Sequence, residues 1–140
     1  MVKTLNNTEP QTKGKTMIYT DQENALIAAA EKTDATRIRD LVKTAKLAKE
    51  NAREYRDRAK ASNSPGGKGN PYNASIGAAT AATEAQNALH DAAALLTAIA
   101  DARGIGRDEA RAIGERIRQI AEAFEDAAFA AEEAAFFATV

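Results

Sequence analysis

Residues 110–138, ARAIGERIRQIAEAFEDAAFAAEEAAFFA, carry the most regular apolar pattern of the chain. Their apolar side chains recur at alternating steps of three and four residues, which places them on one side of an α-helix. The members of this stripe are Ala110, Ile113, Ile117, Ile120, Phe124, Ala127, Ala131, Ala134 and Ala138. The pattern predicts a long helix that packs through larger residues at its start and through alanine at its end.

Two earlier segments repeat the same spacing. The first follows Ile38, Leu41, Ala45, Ala48, Ala52, Tyr55 and Ala59. The second follows Ile76, Ala79, Ala82, Ala85, Leu89, Ala92, Leu96 and Ile99. Because the second segment has few charged residues, we expect it to be the central helix, with neighbours on two or more sides. The stretch 62–71, with three Gly and two Pro, predicts the loop between the two segments.

The N-terminal part of the chain divides into a polar segment and a helix start. Residues 1–16 hold few apolar side chains, which predicts a flexible arm, and Met17 could be an alternative start. Thr20 and Glu23 have the spacing of a capping box, and Thr33 or Asp34 could cap a new helix. We therefore expect one helical domain over 17–140, with helices at 20–32, 34–62, 71–103 and 107–138.

Alanine dominates the composition, with 34 of 140 residues. Alanine in the packing stripes allows helices to approach closely, at or below the low end of the usual interaxial distances of about 8–10 Å. No segment alternates with the period of a strand. The sequence predicts an all-α fold: an elongated antiparallel bundle of three long Ala-rich helices, with a short N-terminal helix and the flexible arm.

The formal charge of −1 conceals halves of opposite sign. Residues 1–70 carry 14 Lys and Arg against 9 Asp and Glu, whereas residues 71–140 carry 5 against 11. Such halves attract each other. Three interpretations remain open: the halves pack within one bundle, copies associate head to tail, or a charged partner binds.

Several kinds of site are excluded by composition. Without Cys there is no thiolate ligand or nucleophile, and one histidine, His90, cannot form a multi-histidine metal site. We predict no catalytic residues, no cofactor, no metal site and no enzyme. No signal peptide or transmembrane segment is visible, so we expect a cytoplasmic protein or one that is assembled into a particle.

The candidate interface residues lie near the C-terminus. At about 100° per residue, Phe129, Phe136 and Val140 fall in the sector that Arg111 and Arg118 occupy earlier in the helix, and Phe137 also lies off the alanine stripe. One interpretation is that they close the end of the bundle. The other is an exposed apolar patch that contacts another chain.

Three functions remain open. The first is a non-catalytic structural or assembly protein that contacts copies of itself or a larger complex, such as a virion or a secretion apparatus. The second is a nucleic-acid-associated protein, a partner class that we do not favour because acids interleave its basic helix. Its candidate residues are Arg37, Arg39, Lys43, Lys46, Arg53 and Lys60. The third is an inhibitor or adaptor that presents the acidic last helix to a host protein.

Overall fold

A computed structural model describes residues 20–64, 66–67 and 69–139. Within these ranges the chain forms three helices and no strand: α1 (Asp21–Ser62), α2 (Pro71–Arg103) and α3 (Arg107–Thr139). The all-helical prediction is confirmed. The proposed arm, residues 1–16, and the alternative start at Met17 lie outside the described residues. The chain divides into two compact units between Ala35 and Thr36.

The described part of the first unit is the first stretch of α1. The backbone amide of Thr20 donates to Glu23 Oε1 at 2.8 Å, and the Glu23 amide donates to Thr20 Oγ1 at 3.1 Å. These two bonds form the predicted capping box and satisfy amides that have no partner within the helix. Leu26 is exposed in this stretch.

The predicted break near residue 33 is wrong, and with it the separate N-terminal helix at 20–32. The Thr33 hydroxyl donates to the Ala29 carbonyl at 3.0 Å, four residues earlier in the same helix. This bond satisfies the side chain without a cap, so Thr33 stays within α1.

In the second unit the three helices pack through three clusters. The first, here called the isoleucine cluster, contains Ile38, Val42, Ala45, Ala88, Ala92, Leu95, Ile99, Ile113, Ile120 and Ala123. The second, the middle cluster, contains Ala48, Ala52, Ala81, Ala85, Ala127 and Ala130. The third, the alanine cluster, contains Ala59, Ala74, Ala78 and Ala134. Residue numbers rise from the first cluster to the third in α1 and α3 and fall in α2, so α2 runs opposite to its neighbours.

The buried side of α2 overlaps the predicted stripe, which shares Ala85, Ala92 and Ile99 with it, but departs from the stripe near the start of the helix. The buried residues are Ala74, Ala78, Ala81, Ala85, Ala88, Ala92, Leu95 and Ile99. Ile76 is 48% exposed, and Ala79 is exposed as well. Thr80 and Thr83 are exposed too, so one side of α2 faces solvent, while its buried residues pack against both α1 and α3. Alanines occupy adjacent rows of this helix, and spacing alone does not identify the row that packs.

Local contacts hold the helix ends and set the distance between α1 and α2. Asn70 Oδ1 accepts from the amides of Tyr72 at 2.9 Å and Asn73 at 3.3 Å, which caps α2. A Cβ on Gly77 would lie 2.6 Å from the Tyr55 ring, so only glycine lets α2 approach α1 this closely. The end of α2 and the start of α3 are joined by Arg103 and Glu109, whose closest atoms lie 2.6 Å apart.

Candidate functional site: a surface of α3 and the basic side of α1

The four candidate interface residues do not share one environment. Phe129 and Phe136 are 60% and 61% exposed. Phe137 is half-buried and packs against the alanine cluster, where its ring meets the Phe136 ring edge to face at a centroid distance of 5.7 Å. Val140 lies outside the described residues. Phe137 therefore packs on the bundle and Phe129 and Phe136 are exposed, while contact of these rings with another chain stays a prediction.

The exposed phenylalanines alternate with glutamates on the outer side of α3. Glu125, Phe129, Glu132 and Phe136 follow one another at steps of four, three and four residues, and all four are exposed. This spacing puts them on one side of the helix, here called the Phe–Glu stripe. Within the described part of the chain, neither Glu125 nor Glu132 forms an ion pair.

Four of the six candidate nucleic-acid residues lie on one side of α1. Arg39, Lys46, Arg53 and Lys60 are exposed and recur every seven residues, about 10.5 Å apart along the helix. We call this set the basic stripe.

The other two candidates lie away from the basic stripe. Arg37 borders a groove between α1 and α2 together with Asp40 and Asp91. Lys43 is exposed on another side of α1. The structure thus separates a regular row of four cations from two that do not belong to it.

The charges of the basic stripe are only partly neutralised within the chain. Arg53 lies 3.6 Å from Asp126 of α3, with both side chains about half exposed. Arg39 donates to the Thr36 hydroxyl at 3.3 Å. Among the described residues, Arg39, Lys46 and Lys60 form no ion pair with a carboxylate. The basic stripe therefore keeps most of its positive charge toward solvent.

A half-buried ion pair between α1 and α3 was not predicted. Arg56 Nη1 donates to Glu133 Oε1 at 3.1 Å, and this hydrogen bond raises the pKa of Arg56 above its ordinary value. Both residues are charged and lie next to a residue of a predicted packing stripe. The sequence gives no other indication that they form a pair. The pairing depends on the alignment of α1 with α3, and the sequence alone does not fix that alignment.

The grooves between α1 and α2 bring together few groups of chemical interest. Leu41, Thr44 and Asp91 border two adjacent open depressions, one of which extends to Leu47 and Glu84. His90 is exposed on α2. In the described ranges no group of three His, Asp or Glu side chains is placed to hold a metal ion. The prediction that the protein is not an enzyme stays a prediction.

Comparisons with known proteins add no functional information. The chain matches no family model, no curated protein and no solved structure. None of the helices that the structure describes combines the length and the apolar character needed to cross a membrane.

Proposed function

We propose that this chain is a non-catalytic assembly protein that associates with copies of itself through the Phe–Glu stripe. The observation that carries the proposal is the exposure of Phe129 and Phe136, at 60% and 61%, on the side of α3 that faces away from the buried Ala127 and Ala134. Exposed apolar residues are ordinary on protein surfaces, but aromatic side chains are enriched where proteins contact one another, which favours a contact through these two rings.

The apolar area sets the strength of such a contact. A phenylalanine presents about 200 Å², so the two exposed rings offer roughly 240 Å². At about 25 cal/mol per Å², their burial contributes about 6 kcal/mol. Association costs about 4–15 kcal/mol, so the rings alone do not hold two copies together firmly. We expect concentration-dependent association that needs further contacts, and the charges beside the rings are suited to supply them.

The length of the helices also supports the proposal. Helices of 33 residues, such as α2 and α3, would each span about 50 Å. An elongated antiparallel bundle of this length would hold the Phe–Glu stripe rigidly at one end and leave its other sides for a larger complex.

Light scattering over a range of concentrations tests self-association. We expect the double variant Phe129→Asp, Phe136→Asp to stay monomeric where the wild type forms larger species. Ile76→Asp makes the same kind of change at an exposed apolar residue of α2 and should associate like the wild type. A wild type that is monomeric at every concentration would remove self-association as the function.

The basic stripe favours a second candidate function, binding to nucleic acid. Four cations at a regular spacing on one side of α1 could follow a phosphate backbone, and such binding weakens steeply as salt is raised. Lys46→Glu should then weaken the binding of a double-stranded DNA probe more than Lys43→Glu, because Lys43 lies off the stripe. If the probe does not bind at low salt, this function is excluded. The third expectation, an inhibitor or adaptor that presents α3 to a host protein, stays a prediction.

A further inference from the structure

We propose that the Phe–Glu stripe of one copy binds the basic stripe of a second copy of this chain. The inference rests on the proposed self-association and names the partner surface. Its starting point is a pair of unbalanced charge rows: in the described part of the chain, Glu125 and Glu132 have no ion-pair partner, and neither do Arg39 and Lys46. Opposite charges on two surfaces of the same chain steer copies toward each other.

The two rows have the same repeat. Glu125 and Glu132 are seven residues apart, as are Arg39 and Lys46, which corresponds to about 10.5 Å along each helix. Two helices packed side by side can therefore place both glutamates against both cations at once. Arg53 already lies 3.6 Å from Asp126, so Arg39 and Lys46 are the pair of neighbours in the basic stripe without such a partner.

Phe129 fits between the two ion pairs. It follows Glu125 by four residues and precedes Glu132 by three, so its ring would lie against the side chains of Arg39 and Lys46. Lysine and arginine offer long aliphatic stems for such a ring, and their charged ends are attracted to its face. Phe129 and the two glutamates are then covered by the same two residues.

Charge also argues against a symmetric contact between two Phe–Glu stripes. That arrangement would bring Glu125 and Glu132 of one copy near the same residues of the other, and like charges in close contact are unfavourable. The basic stripe lies on a different helix from the Phe–Glu stripe. When each copy uses its two stripes with two different neighbours, the contact is heterologous and builds rings or open chains of copies.

Nucleic acid is the competing occupant of the basic stripe. It would neutralise the cations and leave the two phenylalanines and their glutamates uncovered. A second copy covers both surfaces with one type of contact, and it supplies acids at the spacing of the cations. We therefore assign the basic stripe to the second copy.

Two charge-reversal variants test the contact. The acidic variant carries Arg39→Glu and Lys46→Glu, and the basic variant carries Glu125→Lys and Glu132→Lys. We expect each alone to need roughly 100-fold higher concentration to associate, because each places like charges in contact. A mixture of the two should associate again, since every contact then joins opposite charges. Lys43→Glu is the matched control and should behave like the wild type.

Each result of this experiment decides the question. Restored association in the mixture, seen by sedimentation velocity, supports the proposal, and so does weaker wild-type association at higher salt. The inference is overturned if the acidic variant associates like the wild type, if the mixture stays monomeric, or if the acidic variant loses only the binding of a DNA probe. Circular dichroism of each variant checks that the helices remain. If Phe129→Asp, Phe136→Asp abolishes association while the acidic variant keeps it, the proposed function survives and this inference fails.

Discussion

The isoleucine cluster and the alanine cluster hold the same three helices together by different means. The isoleucine cluster buries branched side chains such as Ile38, Ile113 and Ile120, whereas every buried member of the alanine cluster is alanine. Alanine buries little area, so the second region relies on close backbones, on the rings of Tyr55 and Phe137, and on a nearby ion pair between α1 and α3. Along its length, a helix bundle can thus change from packing through large side chains to packing through closely spaced backbones.

Removing a branched side chain from the isoleucine cluster should have the largest effect. Ile120 has no exposed surface, so Ile120→Ala leaves a cavity and should lower the free energy of unfolding by about 3–4 kcal/mol. Urea unfolding followed by circular dichroism measures the loss. Ile117→Ala, at a half-buried position of the same helix, should cost clearly less. Equal losses would mean that the cluster is not the main source of stability.

Adding size to the alanine cluster should be the next largest change. Ala134 is fully buried among Ala59, Ala74 and Ala78, and Ala134→Leu forces the helices apart at a cost of about 2 kcal/mol. Ala135→Leu makes the same substitution at the exposed neighbouring residue and should leave stability nearly unchanged. A neutral Ala134→Leu in urea unfolding would contradict close packing at this end.

The ion pair between α1 and α3 should contribute less than either cluster. Glu133 is 36% exposed, so solvent screening limits its pair with Arg56, and Glu133→Gln should cost about 0.5 kcal/mol. Thermal unfolding at low and high salt measures this loss, which should shrink as salt is raised. Glu132→Gln, studied at a concentration too low for association, is the control and should show no loss. A large salt-independent effect of Glu133→Gln would show that packing, not charge, is involved.

The smallest effect concerns the outer side of α3 beside the isoleucine cluster. Arg118 donates to Glu115 at 2.5 Å and also pairs with Glu122, and the hydrogen bond to Glu115 lowers the pKa of Glu115 below its ordinary value. Because the folded-state pKa is depressed, the stabilisation is present above the ordinary pKa and is lost as pH falls through the folded value. Arg118→Gln should return the pKa of Glu115 to its usual range in an NMR titration. An unchanged titration of Glu115 would contradict the pairing.

The helix pattern could be predicted from the sequence where residues of different size alternate. In α3 the isoleucines alternate with charged residues along the sequence, and the buried residues Ile113 and Ile120 lie on the predicted stripe. The predicted start of the helix at residue 71 is also confirmed, because Asn70 caps α2 and Pro71 occupies its first turn, where proline is favoured. Capping residues, and differences in size between neighbouring side chains, can be recognised from the sequence alone.

The rest depended on contacts between distant residues. In α2, alanine occurs on several sides of the helix, and the structure buries Ala78 and Ala81 where the predicted stripe had Ile76 and Ala79. The separation of Phe137 from Phe136 depends on the position of α3 over the alanine cluster. A threonine hydroxyl can either cap the start of a helix or bond to a carbonyl within one, so the sequence alone made Thr33 look like a cap. In the structure its hydroxyl donates to the Ala29 carbonyl within α1.

The pairing of Arg103 with Glu109 has a consequence for the order of events during folding. Only residues 104–106 separate α2 from α3, so the chain entropy lost when these helices meet is small, and the ion pair forms between groups that are near in sequence. We expect α2 and α3 to form the nucleus onto which α1 docks later. If so, Glu109→Gln slows refolding in stopped-flow measurements, whereas Glu133→Gln mainly speeds unfolding.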